Sequence, residues 1–189
     1  MLEQVGLKFE VEPSNYEEEA DLRLAPHELA RKLSLGKAQA GAGKHRDAIV
    51  IAADTLILFR GRILGKPHTE AEAKEMLQTL NGRSHRLTTG FTIIDTGSKK
   101  TLSRSVETKV WLRRLTPEEI DAYVRSKEPL GKAGGYAIQG LGSVIVERIQ
   151  GDYFNVVGLP LSALVESLKD FGINVLERKP QRARPQCTP

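Results

Sequence analysis

The chain has 189 residues, of which 40% are hydrophobic and 28% charged, with a formal net charge of +4; that is the composition of a folded soluble domain, or of two small lobes sharing a core, and it excludes collagen and chain-wide disorder. No apolar run approaches the ~18 to 20 residues of a membrane span, and Met1-Leu2-Glu3-Gln4 lacks the basic-then-apolar pattern of a secretory leader. A single cysteine, Cys187, excludes an internal disulfide and a thiolate metal site and is compatible with a reducing, cytoplasmic location.

In chain order, Leu7-Lys8-Phe9-Glu10-Val11 alternates apolar and charged residues and reads as a short strand closed by Pro13-Ser14-Asn15. Pro26 suits the first position of a helix, where its missing N–H costs nothing, and Leu29, Leu33 and Ala40 give that helix an apolar stripe. Ile49-Val50-Ile51-Ala52-Ala53 is a branched apolar run that reads as a buried central strand. Leu56-Ile57-Leu58-Phe59 resumes it, and Arg60-Gly61-Arg62 turns it. Two capping boxes open later helices: Thr69-Glu70-Ala71-Glu72, leading to Leu77, Leu80 and a stop at Asn81-Gly82, and Thr116-Pro117-Glu118-Glu119. Between them, Leu87 to Asp95 and Leu102 to Leu112 read as a hairpin joined by Thr96-Gly97-Ser98.

Val144-Ile145-Val146 and Tyr153-Phe154-Asn155-Val156-Val157 read as later strands. A final helix carries Leu161, Leu164, Val165 and Leu168 on one face, with Gly172 past its end. Helices interleaved with strands, one pair of them a hairpin, predict an α/β fold with a mixed sheet. The last stretch holds Arg178, Lys179, Arg182 and Arg184 against Glu177, so most of the net charge sits in a Pro-rich tail. Disorder is the expected state of that tail, and a polyanion-binding arm is the alternative.

Asp54 follows the first buried strand and precedes Thr55. A carboxylate at a strand end binds Mg²⁺ or accepts a proton from water, or else it merely caps a turn. Lys66, in Gly65-Lys66-Pro67, has the reach to meet a phosphate. Among Glu17, Glu18 and Glu19, ordinarily a solvated run, one turned inward would supply a second metal carboxylate. Lys37 lies on the first helix between the small residues Gly36 and Ala38. Lys132-Ala133-Gly134-Gly135-Tyr136-Ala137-Ile138-Gln139-Gly140 is the strongest local signal. Its glycines allow close backbone approach, Tyr136 offers a flat face, and Gln139 carries both donors and an acceptor, a combination suited to a nucleobase edge. A structural glycine bend is the competing reading. No nucleophile–histidine pair, Walker loop, Gly-x-Gly-x-x-Gly or zinc spacing is present.

Ala53-Asp54-Thr55, Gly65-Lys66-Pro67, Asn81-Gly82-Arg83-Ser84-His85, Glu128-Pro129 with Lys132 to Gly140, and Gly151 to Pro160 occur in that order, and together they resemble the Maf family of nucleoside triphosphate pyrophosphatases. The resemblance covers residues 1–176 and leaves 177–189 as the tail. It implies a two-lobed fold similar to the inosine triphosphatases, with a central nucleotide cleft, hydrolysis of a nucleoside triphosphate to monophosphate and pyrophosphate, and dependence on Mg²⁺ or Mn²⁺. It implies Asp54 as proton acceptor with Lys66, Lys37 and Glu18 beside it, Asp54 and Glu18 toward the metal, and Thr55, Gln139, Lys132, Tyr136 and Arg83 toward the substrate. The Asp-Thr pair with Ile-Gln-Gly resembles the subgroup acting on dTTP and UTP.

A nucleoside triphosphate is the implied partner, with no membrane or nucleic acid, in a homodimer. Two departures stand out: the family's opening strand and Ser-x-Ser-Pro-Arg-Arg loop have no counterpart before Met1, and Gly131 replaces the usual aspartate before Lys-Ala-Gly. The first is expected to mean either a start codon placed too late or the loss of a phosphate grip and a core strand, and the latter leaves open a catalytically impaired, nucleotide-binding regulator.

Overall fold

The computed structural model describes residues 1–16, 21 and 23–177; Glu17, Glu18, Glu19 and the basic tail after Glu177 lie outside them. Its elements are α1 (Pro26–Ala42), β1 (Ile49–Phe59), β2 (Arg62–Leu64), α2 (Glu70–Leu80), β3 (Ser84–Asp95), β4 (Thr101–Leu112), α3 (Pro117–Arg125), β5 (Val146–Gln150), α4 (Tyr153–Val157) and α5 (Leu161–Leu168), with 3-10 turns at Glu3–Val5, Ala133–Gly135, Gly140–Val144 and Lys169–Phe171. The strands form one sheet in the order β2-β1-β3-β4-β5.

The fold is α/β, but the expected mixture of strand directions is not found: every described pair is antiparallel. β2 and β3 do run the same way, with α2 crossing between them, yet β1 lies between the two and pairs antiparallel with both. β1 is therefore second from an edge rather than central.

Alternation along β1 sorts its side chains between two faces. Leu56 and Leu58 face α1, packing with Leu29, Ala30 and Leu33. On the other face, Ile49, Ile51 and Ala53 join Phe91, Ile93 and the α5 leucines. Further along that face, Ile57 and Phe59 join a separate core with Leu77, Leu80, Ile120 and Tyr123 of α2 and α3. The two lobes are these two cores, and Thr55 falls between them. α1 lies tightly on the sheet because Gly90 of β3 has no side chain: a Cβ there would come within 2.1 Å of the Ala30 carbonyl oxygen. Ser34 of α1 hydrogen-bonds Thr92 at 2.9 Å, and Thr92 donates to Ser103 at 2.9 Å, so these three hydroxyls under the helix are paired with one another.

The hairpin of β3 and β4 forms as predicted, its turn held by the Asp95 carboxylate accepting from the amides of Gly97 and Ser98. The Thr116 box forms in full. At α2, Thr69 accepts from Glu72, but the Glu72 carboxylate takes the amide of His68, one residue before the cap.

Three predicted strands differ. Leu7 to Val11 is irregular: Leu7 packs with the α5 core, whereas Val11 is 83% exposed, so its alternation has no sheet to pair with. Val144 ends a 3-10 turn and the strand starts at Val146. Tyr153 to Val157 is a helical turn, because Asp152 caps it by accepting from the Asn155 amide at 3.1 Å and Gly158 ends it; the cap overrides the β preference of its aromatic and branched residues.

Candidate active site

A cleft of about 300 Å³ opens where the two lobes meet, at the lower end of the size range of small-molecule sites. β1 contributes Ala53, Asp54, Thr55 and Ile57; Lys37 comes from α1, Lys66 from the segment after β2, residues 131–133 and 136–139 from the glycine-rich segment, and residues 156–158 from the end of α4. Asp54 is not at a strand end, as the sequence suggested, but in the middle of β1, opposite Gly90. It borders a cleft nonetheless because β2 pairs only with Ile57, Leu58 and Phe59. Among the described strands nothing flanks the outer edge of β1 at Ala53-Asp54-Thr55, so side chains from both faces reach the same opening.

Asp54 is 8% exposed and forms an ion pair with Lys37. Lys37 follows Ser34 by one helical turn, so the hydroxyl pairing that seats α1 also aims its amine at the sheet. A carboxylate this buried depends on such a partner to stay charged.

Lys66 and Lys132 come to the cleft by a different device. The amide of Gly134 donates to the Gly65 carbonyl at 2.9 Å, and the amide of Gly131 to the Pro67 carbonyl at 2.9 Å. Those two bonds flank both lysines and zip the segments that carry them. Gly131, where the resembling family has aspartate, holds φ +70° and joins this zipper through its backbone.

Thr55 Oγ1 lies 2.9 Å from Thr89 Oγ1, and Thr89 donates at 3.3 Å to the carbonyl of Asn155. Since the Thr89 proton is directed there, Thr55 donates to Thr89, which leaves its lone pairs toward the cleft. Gln139 also lines the cleft. The glycines around it approach protein rather than an open space for ligand: a Cβ on Gly134 would meet Ile57 at 2.8 Å, and one on Gly140 would meet Glu128 at 2.4 Å.

Tyr136 borders the cleft but is 5% exposed. Its hydroxyl lies 2.7 Å from His85 Nε2, and the rings meet edge to face. Burial pushes the tyrosine hydroxyl up and lowers His85 to about 4, so this pair is neutral near pH 7. The pairing joins residues 51 positions apart, which no local sequence signal announces. Arg83 is not among the cleft residues. Its guanidinium donates at 2.7 Å to the Thr79 carbonyl in the last turn of α2 and lies 5.9 Å from the Phe59 ring centre, so it closes a helix end instead. Glu18 is outside the described residues.

One buried carboxylate and three lysines around one opening have the chemistry a polyphosphate needs, a group able to accept a proton and cations able to neutralise an anion. The comparisons with known proteins agree with this class. The profile of the Maf-like protein family matches residues 1–171, and the chain belongs to the Maf family. A dTTP/UTP pyrophosphatase of Bacillus cereus (strain AH820) is 51% identical over 175 residues, 93% of this chain and 91% of that protein. One from Methanosarcina mazei is 47% identical over 173 residues, 92% and 88% of the two chains.

Proposed function

We propose that this chain hydrolyses dTTP and UTP, and modified pyrimidine triphosphates of the same shape, to the monophosphate and pyrophosphate. The observation that carries this reading is the Lys37–Asp54 pair facing Lys66 and Lys132 across one cleft, in a chain that matches dTTP/UTP pyrophosphatases over nearly its whole length.

Water attacks the α-phosphorus, the bond from that phosphorus to the bridging oxygen breaks, and pyrophosphate leaves with the electron pair. Asp54, paired with Lys37, orients the water and takes its proton. Lys66 and Lys132 meet the charge that grows on the leaving oxygens. Thr55, an acceptor toward the cleft, and Gln139, both donor and acceptor, match a pyrimidine edge that presents an N–H between two carbonyls. That pattern separates uracil and thymine from cytosine, whose ring nitrogen accepts.

Among the described residues no three His, Cys, Asp or Glu side chains group closely enough to hold a metal ion. The donor set suits Mg²⁺ or Mn²⁺ arriving with the triphosphate, since Mg²⁺ characteristically takes one or two carboxylates and completes its shell with phosphate and water. Asp54 would be its protein ligand, together with Glu18 by the family resemblance, and the ion would neutralise phosphate charge.

The test is direct. The purified chain, given Mg²⁺ and each nucleotide in turn, is expected to release pyrophosphate and monophosphate from dTTP and UTP well ahead of dCTP and purine triphosphates. Tight nucleotide binding with no turnover would replace this reading by that of a regulator. Removing residues 178–189 is expected to leave turnover unchanged.

A further inference from the structure

The segment bearing Gln139 is held by two side chains that do not line the cleft. Glu128, three residues beyond α3, accepts through Oε1 from the Gly142 amide at 2.8 Å and through Oε2 from the Leu141 amide at 3.0 Å. Its Oε1 also accepts from the Tyr123 hydroxyl at 2.9 Å, and that hydroxyl accepts in turn from the Ala137 amide at 3.1 Å. One carboxylate and one phenol therefore pin the backbone on both sides of Gln139, leaving Ile138 and Gln139 between the anchors as the part that faces the cleft. The fit is close: Gly140 has φ +62°, and a side chain there would run into Glu128. Burial opposes ionisation of Glu128, but the two amides, the Tyr123 hydroxyl and the nearby Lys132 outweigh it and hold the carboxyl below its ordinary range. Tyr123, 6% exposed, is pushed up by burial and by Glu128, against the pull of the Ala137 amide, and keeps its proton.

We propose that Glu128, acting through Tyr123 and the amides of Leu141 and Gly142, is a positioning residue that sets the place of Gln139 against the base and thereby the preference for uracil and thymine. This rests on the reading of Gln139 as a base-contacting residue. Glu128 does not line the cleft, so its loss is read in substrate choice before it is read in chemistry.

The experiment compares Glu128→Ala, Glu128→Gln, Gln139→Ala and the Glu128→Ala/Gln139→Ala double variant for kcat and KM with dTTP, UTP and dCTP, alongside thermal melts. In Glu128→Ala, KM for dTTP and UTP is expected to rise about tenfold, the equivalent of one charge-assisted hydrogen bond, with kcat changed much less. The preference over dCTP is expected to fall with it. Glu128→Gln keeps one acceptor oxygen and is expected to fall between Glu128→Ala and the wild type. The double variant is expected to lose no more preference than Gln139→Ala alone, because Glu128 works through that residue.

A Glu128→Ala protein with a lowered melting temperature but wild-type preference would overturn the proposal and leave the base reading standing. Additive losses in the double variant would do the same. Unchanged preference in Gln139→Ala would remove the base reading and the proposal together.

Discussion

Asp54 and Asn differ by one oxygen and one charge, which makes Asp54→Asn the sharpest test at the scale of a single residue. The substitution keeps the volume and one acceptor toward Lys37 while removing the proton acceptor. Turnover of dTTP is expected to fall by roughly 10² to 10⁴, with circular dichroism unchanged; a variant near wild-type rate would take Asp54 out of the mechanism. Lys66→Ala makes a different demand. The side chain lies on the substrate side of the zipper between residues 65–67 and 131–134, so pyrophosphate release is expected to slow and KM to rise together, while nucleosides without phosphates bind as before.

That Asp54, Thr55, Lys66, Lys132 and Gln139 line one cleft was signalled in the sequence by the short runs they sit in, whose residue types suit nucleotide chemistry. Lys37 carried no such signal, since what matters is the helix face it shares with Ser34 and the strand it meets 17 positions later. Arg83, expected toward the substrate, is not among the residues lining the cleft. A cation in a recognisable run looks available to phosphate until the helix end beside it is seen to take its guanidinium.

At the scale of elements, α1 decides whether the ion pair forms. The helix sits where Gly90 lets its backbone press against the sheet, and Lys37 lies two turns beyond Ala30 along the same helix. Gly90→Ala forces α1 away from β3 by an overpacking that costs about 1–3 kcal/mol, so the melting point is expected to drop by roughly 2–12 °C and kcat with it. Gly43→Ala is the control: its Cβ would meet only helix carbonyls, the nearer at 3.7 Å, at an ordinary helical φ of −61°, and its melting point is expected to stay within a degree or two.

Element boundaries were legible where the chain declares its own hydrogen bonds. The Thr116 cap, the Asp95 turn and the hairpin strands all fell close to where their residue types put them. They were illegible where a cap competes with propensity. Asp152 turns Tyr153 to Val157 into a helix, and its hold extends further: Thr108 Oγ1 donates to the Asp152 carbonyl at 3.2 Å and lies 2.9 Å from Asn155 Nδ2. That turn in turn presents the Asn155 carbonyl to Thr89, so the polarity of Thr55 at the cleft depends on a strand-to-helix switch that period-two alternation cannot reveal.

For the whole molecule, one lobe holds a buried histidine that ties stability to pH. The core beside α2 and α3 contains Tyr136, which holds His85, 3% exposed, against it. The imidazole Nδ1 is buried with no hydrogen-bond partner among the described residues. Burial lowers this histidine from 6.5 in the unfolded chain to about 4 in the fold. Between those values the unfolded state binds a proton that the folded state refuses, so stability rises with pH across the window. The contribution is complete above pH 6.5 and is lost as the pH falls through 4, a change of about 3 kcal/mol.

The melting temperature of the wild-type chain is therefore expected to fall by roughly 6–12 °C from this group alone between pH 7 and pH 4. His85→Gln retains an amide for the Tyr136 hydroxyl and has nothing to protonate, so its melting temperature is expected to start lower at pH 7 and to decline less steeply. Parallel curves for the two proteins would show that the histidine is not the group responsible. Turnover measured at pH 7 in His85→Gln then separates the lobe from the chemistry: the Lys37–Asp54 pair belongs to the other side of the sheet and to α1, so kcat is expected to persist wherever the variant is folded.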